Sequence, residues 1–220
     1  LRFGEVEFAE KLGPDGKPED PGYLFAAGTR SIVGVFEFAN MLNGVKWSAL
    51  WWRGDEELEP AAAPAWNLGA NGVASVTLSS DEALAPGEYT LALLVEGDLV
   101  QETGFRIVEV SDQLGEVAFS AEIDDGGKPV DATDVFAADV RQIYASFEHA
   151  AIAPGTPWSA IWYRDGEVVS RVNGGWRAKE AGRTWVMLSD QQTIAPGEYA
   201  LEINIDGKVA AIASMTVVEP

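Results

Sequence analysis

The stretch Trp158-Ser159-Ala160-Ile161-Trp162-Tyr163-Arg164 decides the fold, because it repeats Trp47-Ser48-Ala49-Leu50-Trp51-Trp52-Arg53 at the same spacing with nearly the same residues. Within it the side chains alternate. Period two is the signature of a strand, whose successive Cβ atoms point to opposite faces. Trp158, Ala160 and Trp162 share one face and are identical to Trp47, Ala49 and Trp51. Fixed large and small residues on one pleat fit a packed interior, so these tryptophans read as core. Directly after the second copy comes Arg164-Asp165-Gly166-Glu167. Asp-Gly tolerates the positive φ angles of a two-residue hairpin turn, and Ile205-Asp206-Gly207-Lys208 has the same chemistry.

Working outward, the echo extends along the whole chain. Leu114-Gly115-Glu116-Val117-Ala118-Phe119 repeats Phe3-Gly4-Glu5-Val6-Glu7-Phe8, and Gly126-Gly127-Lys128-Pro129 repeats Asp15-Gly16-Lys17-Pro18. Ile194-Ala195-Pro196-Gly197-Glu198-Tyr199 repeats Leu84-Ala85-Pro86-Gly87-Glu88-Tyr89. The offset is 111 residues early in each copy and 110 later, so one residue was lost near the Asp55 or Asp165 turn. The expectation is two domains, 1–110 and 111–220, joined at Ser111-Asp112-Gln113. A link that short restricts relative freedom.

Gly, Pro, Asn and Asp punctuate short alternating runs in each copy, the pattern of an all-β sandwich. In copy one the expected strands are Glu5–Glu10, Ser31–Phe38, Lys46–Arg53, Gly72–Ser79, Glu88–Glu96 and Leu99–Glu109. The Glu-rich stretch Asp55–Ala65, with Pro60 and Pro64, reads as a loop or ragged edge. Helical periodicity is absent throughout. Tyr89 and Tyr199, each at the start of a late strand after Pro-Gly, fit a tyrosine corner, in which the phenol returns its hydrogen bond to the backbone just upstream.

The order of these motifs, Trp162-Tyr163-Arg164, then a hairpin, then the corner, resembles the central strand and corner of immunoglobulin-like and fibronectin-type-III-like domains. It is also similar to uncharacterised bacterial repeats appended to larger secreted or membrane-attached proteins, some of them beside trypsin-like serine proteases. The resemblance spans nearly the whole chain and implies two tandem immunoglobulin-like β-sandwiches related by internal duplication. The cysteine pair of antibody domains is missing.

Chemistry is scarce. The sequence holds no cysteine and one histidine, His149, which removes disulfides, thiolate catalysis and sites built on several imidazoles. His149 aligns with Phe38 and is expected at a surface or rim. Paired carboxylates could run acid–base chemistry, but no pair stands out among 35 acids. The loops Gly13–Pro18 and Asp124–Pro129 carry clustered oxygens yet lack the alternating acidic spacing of a calcium loop; they read as turns. No metal, cofactor or catalytic residue is expected.

The formal charge of −20 divides into −11 over residues 1–111 and −9 over 112–220. A field of that sign over the whole surface repels nucleic acid and anionic lipid. No run of about 18 apolar residues exists to insert in a membrane. The opening Leu1-Arg2-Phe3-Gly4-Glu5 has neither initiator Met nor signal-peptide character, so the expectation is a segment of a longer, extracytoplasmic precursor. Trp52 and Tyr163 lie on the pleat opposite the core tryptophans, next to Arg53 and Arg164. Trp52, Arg53, Tyr163 and Arg164, with Trp66 and Trp176 near loops or edges, form the candidate ligand-binding set; Trp185 is a further aromatic near a loop or edge. Trp47, Trp51, Tyr89, Trp158, Trp162 and Tyr199 form the structural set. The functional expectation is a non-catalytic accessory, spacer or protein-binding module that pairs with a partner protein or with itself. The alternative is a carbohydrate-binding module that stacks Trp and Tyr on sugar faces.

Overall fold

A computed structural model describes residues 2–58, 65–178 and 180–219. The chain divides into two compact units, Leu1–Val108 and Glu109–Pro220, each with its own core. All regular structure among the described residues is β, and no helix is long and apolar enough to cross a membrane.

Unit one contains β1 (Arg2–Ala9), β2 (Lys11–Leu12), β3 (Pro18–Glu19), β4 (Leu24–Ala26), β5 (Ser31–Ala39), β6 (Trp47–Arg53), β7 (Glu56–Glu57), β8 (Gly72–Ser79), β9 (Gly87–Val95) and β10 (Asp98–Val108). Unit two repeats the series as β11 (Ala118–Ser120), β12 (Glu122–Ile123), β13 (Pro129–Val130), β14 (Val135–Ala137), β15 (Gln142–His149), β16 (Pro157–Arg164), β17 (Glu167–Gly175), β18 (Gly182–Ser189), β19 (Gly197–Ile205) and β20 (Lys208–Val218). Both units build a three-stranded sheet, β1-β5-β8 or β11-β15-β18, and a five-stranded sheet, β4-β10-β9-β6-β7 or β14-β20-β19-β16-β17. This is a duplicated immunoglobulin-like sandwich.

All six strands expected in copy one form. Five have ends within one residue of the reading. The first starts early, at Arg2, because Phe3 already pairs with Phe38 ahead of a bulge between Phe3 and Val6. Two kinds of element have no sequence signal. The three-residue segments β4 and β14 pair in parallel with the ends of β10 and β20, carrying the chain from one sheet to the other. The two-residue hairpins β2–β3 and β12–β13 are too short to show periodicity. Of the stretch read as a ragged edge, Glu56–Glu57 pairs with β6, and residues 59–64 lie outside the described residues.

The cores follow the pleat. Trp51 and Trp162 are fully buried. In unit one Phe105 stacks on Tyr89 with ring centroids 5.0 Å apart and packs against Phe8 at 4.9 Å. Unit two has Met215 in the place of Phe105, a flexible thioether filling what the second ring filled. Trp47 and Trp158 are only partly buried, each packed against the margin of its core.

His149 corrects the sequence expectation. It is 6% exposed rather than on the surface. Its Nδ1–H donates to the Ala150 carbonyl at 2.9 Å, which fixes the tautomer because a carbonyl only accepts. The imidazole meets Trp176 edge-on at 4.9 Å, as Phe38 meets Trp66 at 4.6 Å in unit one. A half-polar ring can replace phenylalanine there because its donor finds backbone at once.

Candidate surface sites on the sheet faces and edge

The two corner tyrosines are held by the chain just before them. Tyr89 Oη donates to the Ala85 carbonyl at 2.7 Å, and Tyr199 Oη to the Ala195 carbonyl at 2.8 Å. Arg53 lies opposite Tyr89 across the β6–β9 ladder, and Arg164 opposite Tyr199 across β16–β19. Arg53 also pairs with Glu56 at 2.5 Å, and Arg164 stands 3.6 Å from Asp165. Burial raises both phenols above their ordinary pKa, and the facing guanidinium offsets part of that rise. Asp165 Oδ1 also accepts the Glu198 N–H at 2.8 Å, tying the hairpin to the start of β19.

This geometry separates residues that the candidate set had grouped. Neighbours on a strand point to opposite faces, so Trp52 and Tyr163 lie on the outer faces of the five-stranded sheets while Arg53 and Arg164 join the corner tyrosines. The outer faces differ in detail. Leu50, Ala92 and Glu102 form one cross-strand row in unit one, and Ile161, Glu202 and Ile212 form its counterpart in unit two. Glu202 is 4% exposed, a carboxylate laid flat between two isoleucines. It accepts hydrogen bonds from Tyr163 Oη at 3.3 Å and Asn204 Nδ2 at 2.8 Å. Buried carboxylates persist where they are hydrogen-bonded, and here the bonds anchor the Tyr163 ring. Sequence alternation gave no sign of this carboxylate, because nothing marks an outer position as covered.

Trp66 and Trp176 are corrections as stacking faces. Trp66 is 1% exposed, and its Nε1–H donates to the Gly69 carbonyl at 2.8 Å. Phe38 and Trp47 pack edge-on against it at 4.6 and 5.2 Å. Trp176 is 6% exposed, wedged against His149. The Trp66 backbone N–H donates to the Val45 carbonyl at 2.9 Å and the Trp176 backbone N–H to the Thr156 carbonyl at 2.8 Å, which ties each tryptophan to the chain just ahead of the central strand while its indole joins the core. Trp185 remains a surface aromatic at 43% exposure, edge-on to Tyr144 at 5.2 Å.

Unit two also holds a cleft of about 430 Å³ between β17 and β18, lined by Phe147, Trp158, Asn173, Trp176, Arg177 and Trp185 among others. Sequence reading missed its polar members. The only available signal was the density of basic residues after the second hairpin, where Arg171, Arg177, Lys179 and Arg183 fall within thirteen residues of an acidic chain.

The two oxygen-rich loops are self-satisfied. Asp124 Oδ1 accepts the N–H groups of Gly126 and Lys128 at 2.9 and 2.8 Å, and Asp15 Oδ1 accepts that of Lys17 at 3.2 Å. Such side-chain-to-backbone bonds are turn chemistry. Among the described residues no group of three or more His, Cys, Asp or Glu could hold a metal ion.

No protein-family model matches the sequence, and no curated protein matches it. Among solved structures the chain is similar to the Yersinia pseudotuberculosis adhesin InvE, at 14% identity over 89% of this chain and 56% of that one, with a TM-score of 0.29. It is also similar to the FN1-FN3 domains of chicken CNTN1, at 8% identity over 99% of this chain and 67% of that one, with a TM-score of 0.31. The chain thus spans little more than half the length of the adhesin chain.

Proposed function

We propose that this chain is a non-catalytic tandem module that binds protein as an accessory or spacer part of a larger exported or envelope-associated bacterial protein. In that arrangement a catalytic neighbour, such as the trypsin-like protease the sequence resemblance implies, would carry the chemistry. One observation carries the reading. Each unit spends its interior tryptophans and its corner tyrosine on its own core, and places an aromatic ring, Trp52 or Tyr163, at the matching position of an outer sheet face. Half-buried aromatic rings beside aliphatic neighbours are the residues that anchor protein interfaces. Their differing surroundings give the two copies different surfaces on a common scaffold.

The test uses the full chain immobilised and exposed in parallel to a glycan array and to exported proteins of the source organism. Saturable protein binding that falls in a Trp52→Ala, Tyr163→Ala double variant that is still folded at the assay temperature supports the reading. Saturable response to a polysaccharide with no protein bound would transfer it to the sugar-binding alternative, for which exposed Trp185 is the best-placed platform.

A further inference from the structure

In unit two, two sheet edges meet at one cleft. β17 ends the five-stranded sheet and β18 ends the three-stranded sheet, and among the described residues no strand pairs with the outer edge of either. A free edge presents unpaired N–H and C=O groups, which proteins ordinarily protect with short strands, charge, proline, a bulge or a cover. β17 has one such device, a bulge at Val169 between the Tyr163–Val168 and Trp162–Ser170 pairings, and past it the run Ser170–Gly175 pairs regularly. The strand runs nine residues, Glu167–Gly175, with two charges and no proline, and exposes Val168, Val169 and Val172. Its counterpart β7 is two residues long and both are glutamates.

The pleat gives this edge two different faces. Val172 and Gly174 pair opposite Ala160 and Trp158, the core-facing row, so they border the cleft. A Cβ on Gly174 would stand 3.4 Å from Trp158 Nε1, so glycine keeps that indole edge uncovered. Arg171 pairs opposite Ile161 on the outer face. The charge is local: four of the eight basic residues in 112–220 fall within 171–183, beside a single acid, Glu180. Arg171 and Arg177 are exposed and make no ion pair among the described residues.

We propose that the β17 edge binds an extended peptide segment of a partner protein as an added strand, with apolar side chains entering the cleft beside Trp158, Trp176 and Val172 and acidic ones facing Arg171. Strand addition draws affinity from main-chain hydrogen bonds and specificity from pockets for alternate side chains. The edge supplies the first and the cleft the second. A sugar could stack on Trp185, but it cannot use a row of free backbone groups spaced for another strand. The proposal deepens the protein-binding reading and rests on it.

The probe is a fluorescein-labelled heptapeptide alternating glutamate with valine and phenylalanine, titrated into the full chain. Two further versions carry backbone N-methyl groups on alternate residues, in opposite phases. One phase should abolish binding and the other retain it, because only one set of amides faces the edge. Val172→Asp should weaken binding roughly tenfold or more, and Arg171→Glu about tenfold with a reduced salt dependence. Both residues are exposed, and thermal melts confirm that the variants fold. No binding at millimolar peptide, equal binding in both methylation phases, or a polygalacturonate oligosaccharide that binds in a Trp185-dependent way while the peptide does not, each overturns strand addition. The broader reading is tested apart. If a captured partner protein is insensitive to Val172→Asp and Arg171→Glu, this site is wrong and the protein-binding reading stands; if no protein binds at all, both fall.

Discussion

Two tyrosines and one histidine show how a single side chain sets the local energy of each unit. The phenols of Tyr89 and Tyr199 donate to carbonyls four residues upstream, and replacing either with Phe leaves a half-buried acceptor without its donor. Tyr89→Phe or Tyr199→Phe should therefore destabilise its own unit by roughly 1–3 kcal/mol, read from chemical denaturation followed by tryptophan fluorescence. An unchanged midpoint for both variants would contradict the corner geometry. Burial raises these phenol pKa values in the folded state, so the neutral form is the one the fold prefers. The contribution is whole below the unfolded pKa of about 10 and is lost as pH climbs through the higher folded value. The wild type should lose stability across that alkaline window faster than either Phe variant. At His149 the sister unit has already made the swap, since Phe38 fills the same place against Trp66. His149→Phe should shift stability by less than about 1.5 kcal/mol, as volume-conserving core replacements do. A collapse of unit two would show that the bond to Ala150 matters more than the ring.

At the scale of the element, the central strands β6 and β16 hold each sandwich together, because each contributes its inner face to the core and its hydrogen bonds to two neighbours. Trp162→Ala removes the largest fully buried side chain of unit two and should cost roughly 3–5 kcal/mol. Since the core cluster around Trp162 contains only residues of its own unit, the loss should appear in the unfolding of residues 109–219. Hydrogen exchange resolved by residue separates that outcome from a uniform loss across the chain. The hairpins around these strands have diverged more than the strands have. β17 is a full edge strand, whereas β7 stops after two residues, although Arg53-Gly54-Asp55-Glu56 and Arg164-Asp165-Gly166-Glu167 begin alike. The length of an edge strand is weakly specified by local pattern, because only one of its two sides must be paired.

The whole molecule carries a charge of −20 distributed over both copies. Self-repulsion of that size opposes the compact state and is screened within about 10 Å at 0.1 M salt. Raising sodium chloride from about 10 mM to 0.5 M should raise the melting temperature; a fall would mean that attractive ion pairs outweigh the repulsion. Glu7 is a local instance, its carboxyl raised by burial and then by Glu5 and Glu37. Its ionised form is disfavoured in the folded chain, so its contribution is most favourable below the ordinary carboxylate range and declines as pH rises through the folded value.

Alternation, turn chemistry and repetition are local properties, and they alone determined the duplication, the strand positions, the inward tryptophans and the corner tyrosines. They also fixed the outward direction of Trp52 and Tyr163, since a period of two leaves no other choice. Tertiary structure decided what lies over a side chain once its direction is known. Trp66 and Trp176 looked like free aromatics because they sit in irregular chain, and only their backbone pairing with the segments before the central strands carried them into the cores. His149 went inside, and Glu202 was covered on an outer face, for the same reason. The cleft between β17 and β18 arises from two edges that belong to different sheets and are separated by six residues of sequence. Burial is the sum of contacts made by distant parts of the chain, and no local pattern encodes that sum.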